Sequence, residues 1–217
     1  MTGATTATRS PADYAGKFIT LEGIDGSGKS TQAKRLAAHL QNSGQDVVLT
    51  REPGGSSGAE EIRALLVDGA PNRWSAITEV LLFTAARRDH LERLITPALA
   101  RGQTVICDRF ADSTRVYQGV AREDRRDLVD DLHRLTIGLE PDLTLILDVD
   151  PANALNRGLA RKSGEDRFEE FGLSFQQALR VGFQQLSTDM PRCRLIDATG
   201  DTDTVAARIL AALGLCA

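Results

Sequence analysis

The chain has 217 residues, of which 41% are hydrophobic and 26% charged, and its 26 Lys and Arg against 30 Asp and Glu leave a net charge of −4. This is the usage of an ordinary globular domain, so collagen-like, disordered and membrane-spanning classes are excluded, and the slight acidity argues against a general binder of nucleic acid or anionic membrane. One domain with one sizeable core, a small-molecule partner and a cytoplasmic setting are expected. No apolar run approaches the roughly 18 residues that span a bilayer, and residues 1–16 lack the apolar centre of a signal peptide.

Residues 1–16, small and polar without periodicity, read as a mobile tail ahead of a single domain at 17–217. Short apolar runs rich in Val, Ile, Leu and Thr then alternate with longer stretches of helical period. In chain order the pattern predicts a strand at 18–21, a helix at 29–42, a strand at 47–50, helices at 59–68 and 75–100, a strand at 104–107 and a helix at 124–138. A strand at 143–149, helices at 152–162 and 173–188, a strand at 194–196 and a last helix at 203–213 follow. Asp150 before Pro151 has the form of an N-cap and first helical residue, while Gly44, Gly69 and Gly102 stand as C-terminal stops. The alternation predicts an α/β fold with a five-stranded parallel sheet covered by helices on both faces, and its ligand belongs at the carboxyl ends of the strands. Cys107, Cys193 and Cys216 lie far apart, with neither metal-ligand nor redox spacing, and read as reduced thiols.

Directly after the first strand, Gly23-Ile24-Asp25-Gly26-Ser27-Gly28-Lys29-Ser30 satisfies G-x-x-x-x-G-K-[ST], and Thr31 continues into the helix. Glycines let such a backbone curl so that its N–H groups point at phosphate oxygens, and the helix N-terminus adds partial positive charge. Lys29 then reaches the outer phosphates and the Ser30 hydroxyl ligates Mg²⁺. Asp108, ending the third strand, is placed to hold the same ion directly or through water. The loop specifies a nucleotide but no reaction. The chain has no N-K-x-D segment and no D-x-x-G switch, which counts against a GTPase.

Three further clusters fall where strand ends or neighbouring helices face one crevice. Thr50-Arg51-Glu52-Pro53-Gly54-Gly55 follows the second strand, with a proline to stiffen the turn and glycines to bring backbone N–H groups to an anion. Asp108-Arg109-Phe110, with Ser113, Thr114, Tyr117 and Gln118 behind it, follows the third. Phe83 and Arg87, four apart on one helix, bring an aromatic plane and a planar donor fork to one face. Taken singly, each has a bland explanation: a surface turn, a structural ion pair, a core aromatic beside a solvated arginine.

Together these segments resemble the bacterial thymidylate kinases over residues 17–213. The resemblance rests on the phosphate loop, T-R-E-P-G-G, L-L-F-T-A-A-R, D-R-F-A-D-S-T-R-V-Y-Q-G, P-D-L-T-L-I-L-D-V and a basic segment ending E-D-R-F-E. It is to the type with a glycine at Gly26 and arginines in the lid. It implies a P-loop, nucleoside-monophosphate-kinase-like fold, transfer of a phosphoryl group from ATP to dTMP with Mg²⁺, a homodimer, and a lid at about 157–170. It further implies that Phe83 stacks on thymine, Arg87 donates to the base O4 and Thr114 meets the N3 edge. Tyr117 would wall the sugar and Asp25 approach its 3′-hydroxyl, while Arg51 and Arg109 would grip the acceptor phosphate beside Pro53 and Gly54. In the lid, Arg161 would close over the transferred group, with Arg157 on the ATP side. Arg157 and Lys162 remain alternatives for the catalytic role. Asp166 and Phe168 would touch the acceptor, and Glu169 the metal.

Two other readings stay open. A deoxynucleoside kinase would use Glu52 of the E-P pair as a base toward a sugar hydroxyl, although Arg51, Gly54 and Gly55 around it suit an anion better. A P-loop switch or regulatory ATPase would use hydrolysis for conformational change, but would leave the arginines at the strand ends without an anion.

Overall fold

Every side chain of β1, Phe18–Glu22, is buried, as a central parallel strand covered on both faces requires. In the computed structural model, which describes residues 14–69, 73–119, 125–154 and 172–215, β1 is flanked by β3 (Thr104–Asp108) and β4 (Leu143–Asp148). β2 (Val47–Arg51) and β5 (Cys193–Asp197) complete a five-stranded sheet in the order β2-β3-β1-β4-β5, with every neighbouring pair parallel. The strand alternation sorts the core into two layers. Ile19, Leu21 and Ile106 join Leu36, Leu40, Leu179, Phe183 and Ile209 on one side, and Phe18, Val105 and Cys107 join Leu91, Ile95, Leu99 and Phe110 on the other.

The helices are α1 Lys29–Asn42, α2 Ser57–Val67, α3 Ala76–His90, α4 Thr96–Ala100, α5 Ala111–Tyr117, α6 Arg126–Leu132, α7 Gly172–Asp189 and α8 Thr202–Ala212. The helix expected over 75–100 is present in extent but widens into a π-helical turn at Leu91–Ile95 before α4, and that expected over 124–138 does the same at His133–Ile137. α5 has no counterpart among the expected elements. Its seven residues are too short to show a period, and ion pairs hold it instead. Arg115, buried, donates to Asp112 at 2.8 Å, Asp130 at 2.7 Å and Glu140 at 2.5 Å, and Arg192 binds Asp112 from the end of the sheet at 2.6 Å.

Asp150 caps the turn after β4 as expected, accepting from Ala152 N at 3.0 Å and Asn153 N at 3.2 Å. The tail assigned to 1–16 is too long by its last three residues. Tyr14 packs on the core, and Gly16 N donates to Leu99 O at 3.1 Å. Residues 1–13, the expected lid at about 157–170 and Cys216 lie outside the described residues. Cys107 and Cys193 are free and buried, and no described helix is long and apolar enough to cross a membrane.

Candidate active site

β1 runs at once into the phosphate loop, and α1 begins at Lys29 with Gly28 as its left-handed cap. Gly26, at φ +76°, packs so closely that a Cβ there would stand 2.1 Å from Ala154 O. The loop is therefore clamped by the helical turn that Asp150 caps. Lys29 is buried, and its Nζ donates to Gly23 O at 3.1 Å and Ile24 O at 2.8 Å. Burial, helped by the nearby charge of Arg109, pulls its pKa down to about 8. At the foot of α1, the Ser30 hydroxyl donates to the Asp108 carboxylate.

Arg109 is the one described non-glycine residue with a positive φ, +70°, an unfavourable conformation for a side-chain-bearing residue. It is fixed there by Arg109 N donating to Leu21 O at 2.9 Å and by Phe110 N donating to Glu22 Oε1 at 2.7 Å. The result aims its guanidinium back over the loop. Arg109 pairs with Asp25 and donates to Gly23 O at 3.1 Å, Ser113 Oγ at 3.0 Å and the Tyr117 hydroxyl at 3.2 Å. Tyr117 in turn donates to Asp25 Oδ2 at 2.9 Å. Burial alone would raise the Asp25 pKa, but Arg109 and Lys29 hold it below the usual value. Glu22, which receives Ser113 Oγ at 2.6 Å, is pushed up to about 7 by burial and the charge of Asp112.

Beside this network opens a cleft. The expected residues Asp25, Pro53, Phe83, Arg87, Arg109, Ser113, Thr114, Tyr117 and Gln118 all line it. Arg87 is buried: its Nε donates to Glu52 Oε2 at 2.7 Å, and Nη2 to Phe110 O at 3.2 Å and Thr114 Oγ1 at 3.0 Å. Nη1 makes no such bond among the described residues. Gln118 Nε2 donates to Glu79 at 3.2 Å, and its buried Oε1 has no partner among the described residues.

Arg51 lies outside this cleft. It lines the adjoining cavity with Ser30, Thr50, Gly55 and Asp108, while Arg63, which no motif marks, lines the cleft beside Arg109. Strand register explains the difference, because Arg51 aligns with Asp108 while the cleft opens beyond it at Arg109. Arg51 reaches Glu60 at 3.1 Å, and Glu60 also accepts from Gly55 N at 2.9 Å, so the carboxylate sits against the turn expected to hold an anion. Gly54 packs against the same carboxylate. Arg63 binds Pro53 O at 2.5 Å. Its position inside a charged helical stretch gave no signal of this.

A third cavity lies across the loop, between Gly26, Ser27, Gly28, Thr31 and Gln32 and the turn Ala198–Thr202 before α8. That turn ends β5, so the strand-end rule could have found it although no motif marks it. Arg157, Arg161, Lys162, Asp166, Phe168 and Glu169 lie outside the described residues.

A family model for thymidylate kinase matches residues 21–209. The chain is 66% identical over 203 residues to a thymidylate kinase of Dinoroseobacter shibae, covering 93% of this chain and 98% of that one. It is 65% identical over 198 residues to one of a Jannaschia species, covering 91% and 95%. The crystal structure of the thymidylate kinase from Ehrlichia chaffeensis superposes with a TM-score of 0.74 at 36% identity, covering 91% of this chain and 98% of that one.

Proposed function

This chain belongs to the thymidylate kinase family and phosphorylates dTMP with ATP, and we propose that dTMP occupies the Phe83–Arg87–Arg109 cleft while ATP lies across the phosphate loop. The observation that carries this assignment is the Arg87 fork, committed to the protein on three contacts and left with Nη1 for a ligand. A guanidinium only donates, so it suits the carbonyl at thymine C4 and leaves the amino group of cytosine unpaired. Such a mismatch costs about 1–3 kcal/mol in a buried site. Gln118 Oε1, buried without a partner among the described residues, is a better acceptor for the N3 proton than Thr114 Oγ1, which already accepts from Arg87. In this reading Phe83 stacks on the base, Tyr117 walls the sugar and Asp25 meets its 3′-hydroxyl.

The acceptor monophosphate has a second pKa near 6 and is largely dianionic at pH 7, so it attacks without a general base. What the two anionic groups need is opposing charge. Arg109 and Arg63 from the cleft, Arg51 from the adjoining cavity and Lys29 from the loop supply it by position, in line with a loose phosphoryl-transfer transition state. Occupation of the site would require Arg51 to exchange Glu60 for phosphate. Ser30 and Asp108, a hydroxyl and a carboxylate already in contact, are the hard oxygen donors that Mg²⁺ takes, and they would hold it together with Glu169. The ion would supply neutralisation of charge on the donor phosphates. Arg161 is the proposed lid donor, with Arg157 beside ATP and Asp166 and Phe168 toward dTMP. A homodimer, in the cytoplasm where its substrates are dissolved, completes the proposal.

A deoxynucleoside kinase is disfavoured by one specific observation. Glu52, which would have to serve as its base, is buried and engaged on both oxygens, by Arg87 and His90. ADP release with ATP and Mg²⁺ should be fastest with dTMP in a panel of dTMP, dUMP, dCMP, dGMP, AMP and thymidine. Faster turnover of thymidine would sink the monophosphate assignment, and release independent of any acceptor would favour a switch ATPase.

A further inference from the structure

We propose that His90, which lines neither the dTMP cleft nor the ATP cavity, is a positioning residue that holds the base-reading Arg87 and the Thr50–Gly55 turn in register. This rests on the reading of Arg87 given above. His90 ends α3 and is completely buried. Its Nδ1 lies 3.1 Å from Glu52 Oε1 and its Nε2 lies 2.8 Å from Thr50 Oγ1. A carboxylate can only accept, so Nδ1 is the donor to Glu52, and in the neutral ring Nε2 then accepts the Thr50 hydroxyl proton. The other Glu52 oxygen receives Arg87 Nε at 2.7 Å. A chain of hydrogen bonds thus runs Thr50–His90–Glu52–Arg87 from the end of β2 to the cleft.

The geometry of the ion pair shows why the third member is needed. Arg87 meets Glu52 through Nε alone rather than as a two-pronged fork, and a one-point contact leaves the carboxylate free to turn about its own axis. The bond from His90 to the second oxygen removes that freedom and so fixes the carboxylate that, together with Phe110 O and Thr114 Oγ1, sets the plane of Arg87. A second observation ties in the phosphate side. A Cβ on Gly55 would stand 2.3 Å from His90 Nε2 and 2.5 Å from Thr50 Oγ1, so the turn closes directly on the imidazole edge. The same Gly55 offers its N–H to Glu60, the partner of Arg51. One buried ring therefore braces both the arginine that reads the base and the turn that faces the phosphate.

The test compares His90→Phe, His90→Asn, His90→Gln and Thr50→Val with wild type, each first checked for cooperative melting. His90→Phe fills the volume without either hydrogen bond. It should raise KM for dTMP at least tenfold and narrow the preference for dTMP over dCMP, with KM for ATP within twofold. Asparagine can still donate toward Glu52, so His90→Asn should recover most of the dTMP affinity, whereas His90→Gln, whose longer amide reaches toward Thr50, should recover less. Thr50→Val should fall between. If His90→Phe does not fold, the asparagine and glutamine pair decides. Unchanged KM for dTMP in the folded variants, or equal losses for dTMP and ATP, would overturn the inference. Arg87→Ala assayed in parallel separates the premises: unaltered base preference there refutes the Arg87 reading, whereas its loss beside silent His90 variants refutes only the role of His90.

Discussion

At the scale of single residues, the chemistry of the cleft depends on shape as much as on charge. Arg87 uses three N–H donors to lock itself and leaves Nη1 with no such bond among the described residues, a division that an ammonium group cannot reproduce. Arg87→Lys should therefore behave as a loss of function despite keeping its charge. Its kcat/KM for dTMP should fall at least tenfold while KM for ATP stays within twofold, measured by coupled ADP release. Which residues were legible follows from how they are placed. Gly23–Ser30 act through covalent spacing along one turn, so the motif alone located them. Phe83 and Arg87 were legible as an i, i+4 pair on one helix. Arg63 was not, because its role comes from α2 leaning over Pro53, a tertiary fact with no local signature. The side of Asp108 that Arg51 takes was not legible either, since sequence adjacency to Pro53 says nothing about it.

At the scale of elements, the central strands were the plainest feature, since burial on both faces leaves short apolar runs such as Leu145–Leu147. The helices were readable wherever they exceed about three turns. α5 was not, because its identity lies in Arg115 and Asp112 pairing with groups that arrive from Asp130, Glu140 and Arg192. The π-helical turns were equally silent, as the sequence keeps a helical period through Leu91–Ile95 while the backbone takes in an extra residue. α3 also carries the argument for assembly. Ile77 and Leu81, four apart and 41% and 51% exposed, present an apolar strip on the outside of the helix whose other side builds the cleft. The proposed homodimer, seated on this strip, should be lost in Leu81→Asp and read as a fall in sedimentation coefficient, and an unchanged coefficient would place the interface elsewhere.

At the scale of the whole molecule, buried carboxyl groups set opposing slopes of stability with pH. Asp25 and Asp112 have folded pKa values held low, by Arg109 and by Arg192 respectively, against the effect of burial. Their contribution is full above the ordinary carboxylate range and is lost as pH falls through it. Glu22 acts in the other direction. Its folded value of about 7 exceeds its ordinary 4.5, so between those values the folded protein keeps a proton that the unfolded chain has released. Stability must then decline as pH rises across that window. Urea unfolding from pH 3 to 8 should give a maximum near pH 5, and Glu22→Gln should flatten the limb above it. An equally steep limb in that variant would assign the slope to another group.

Lys29 rests on the carbonyls of its own loop. In the proposed ATP site, donor capture is consequently a trade, in which the ammonium group surrenders two backbone oxygens to gain phosphate ones. Much of the expense of stripping water from that cation was met during folding, and the affinity a donor realises is the difference between two sets of oxygen contacts rather than the full strength of the new one.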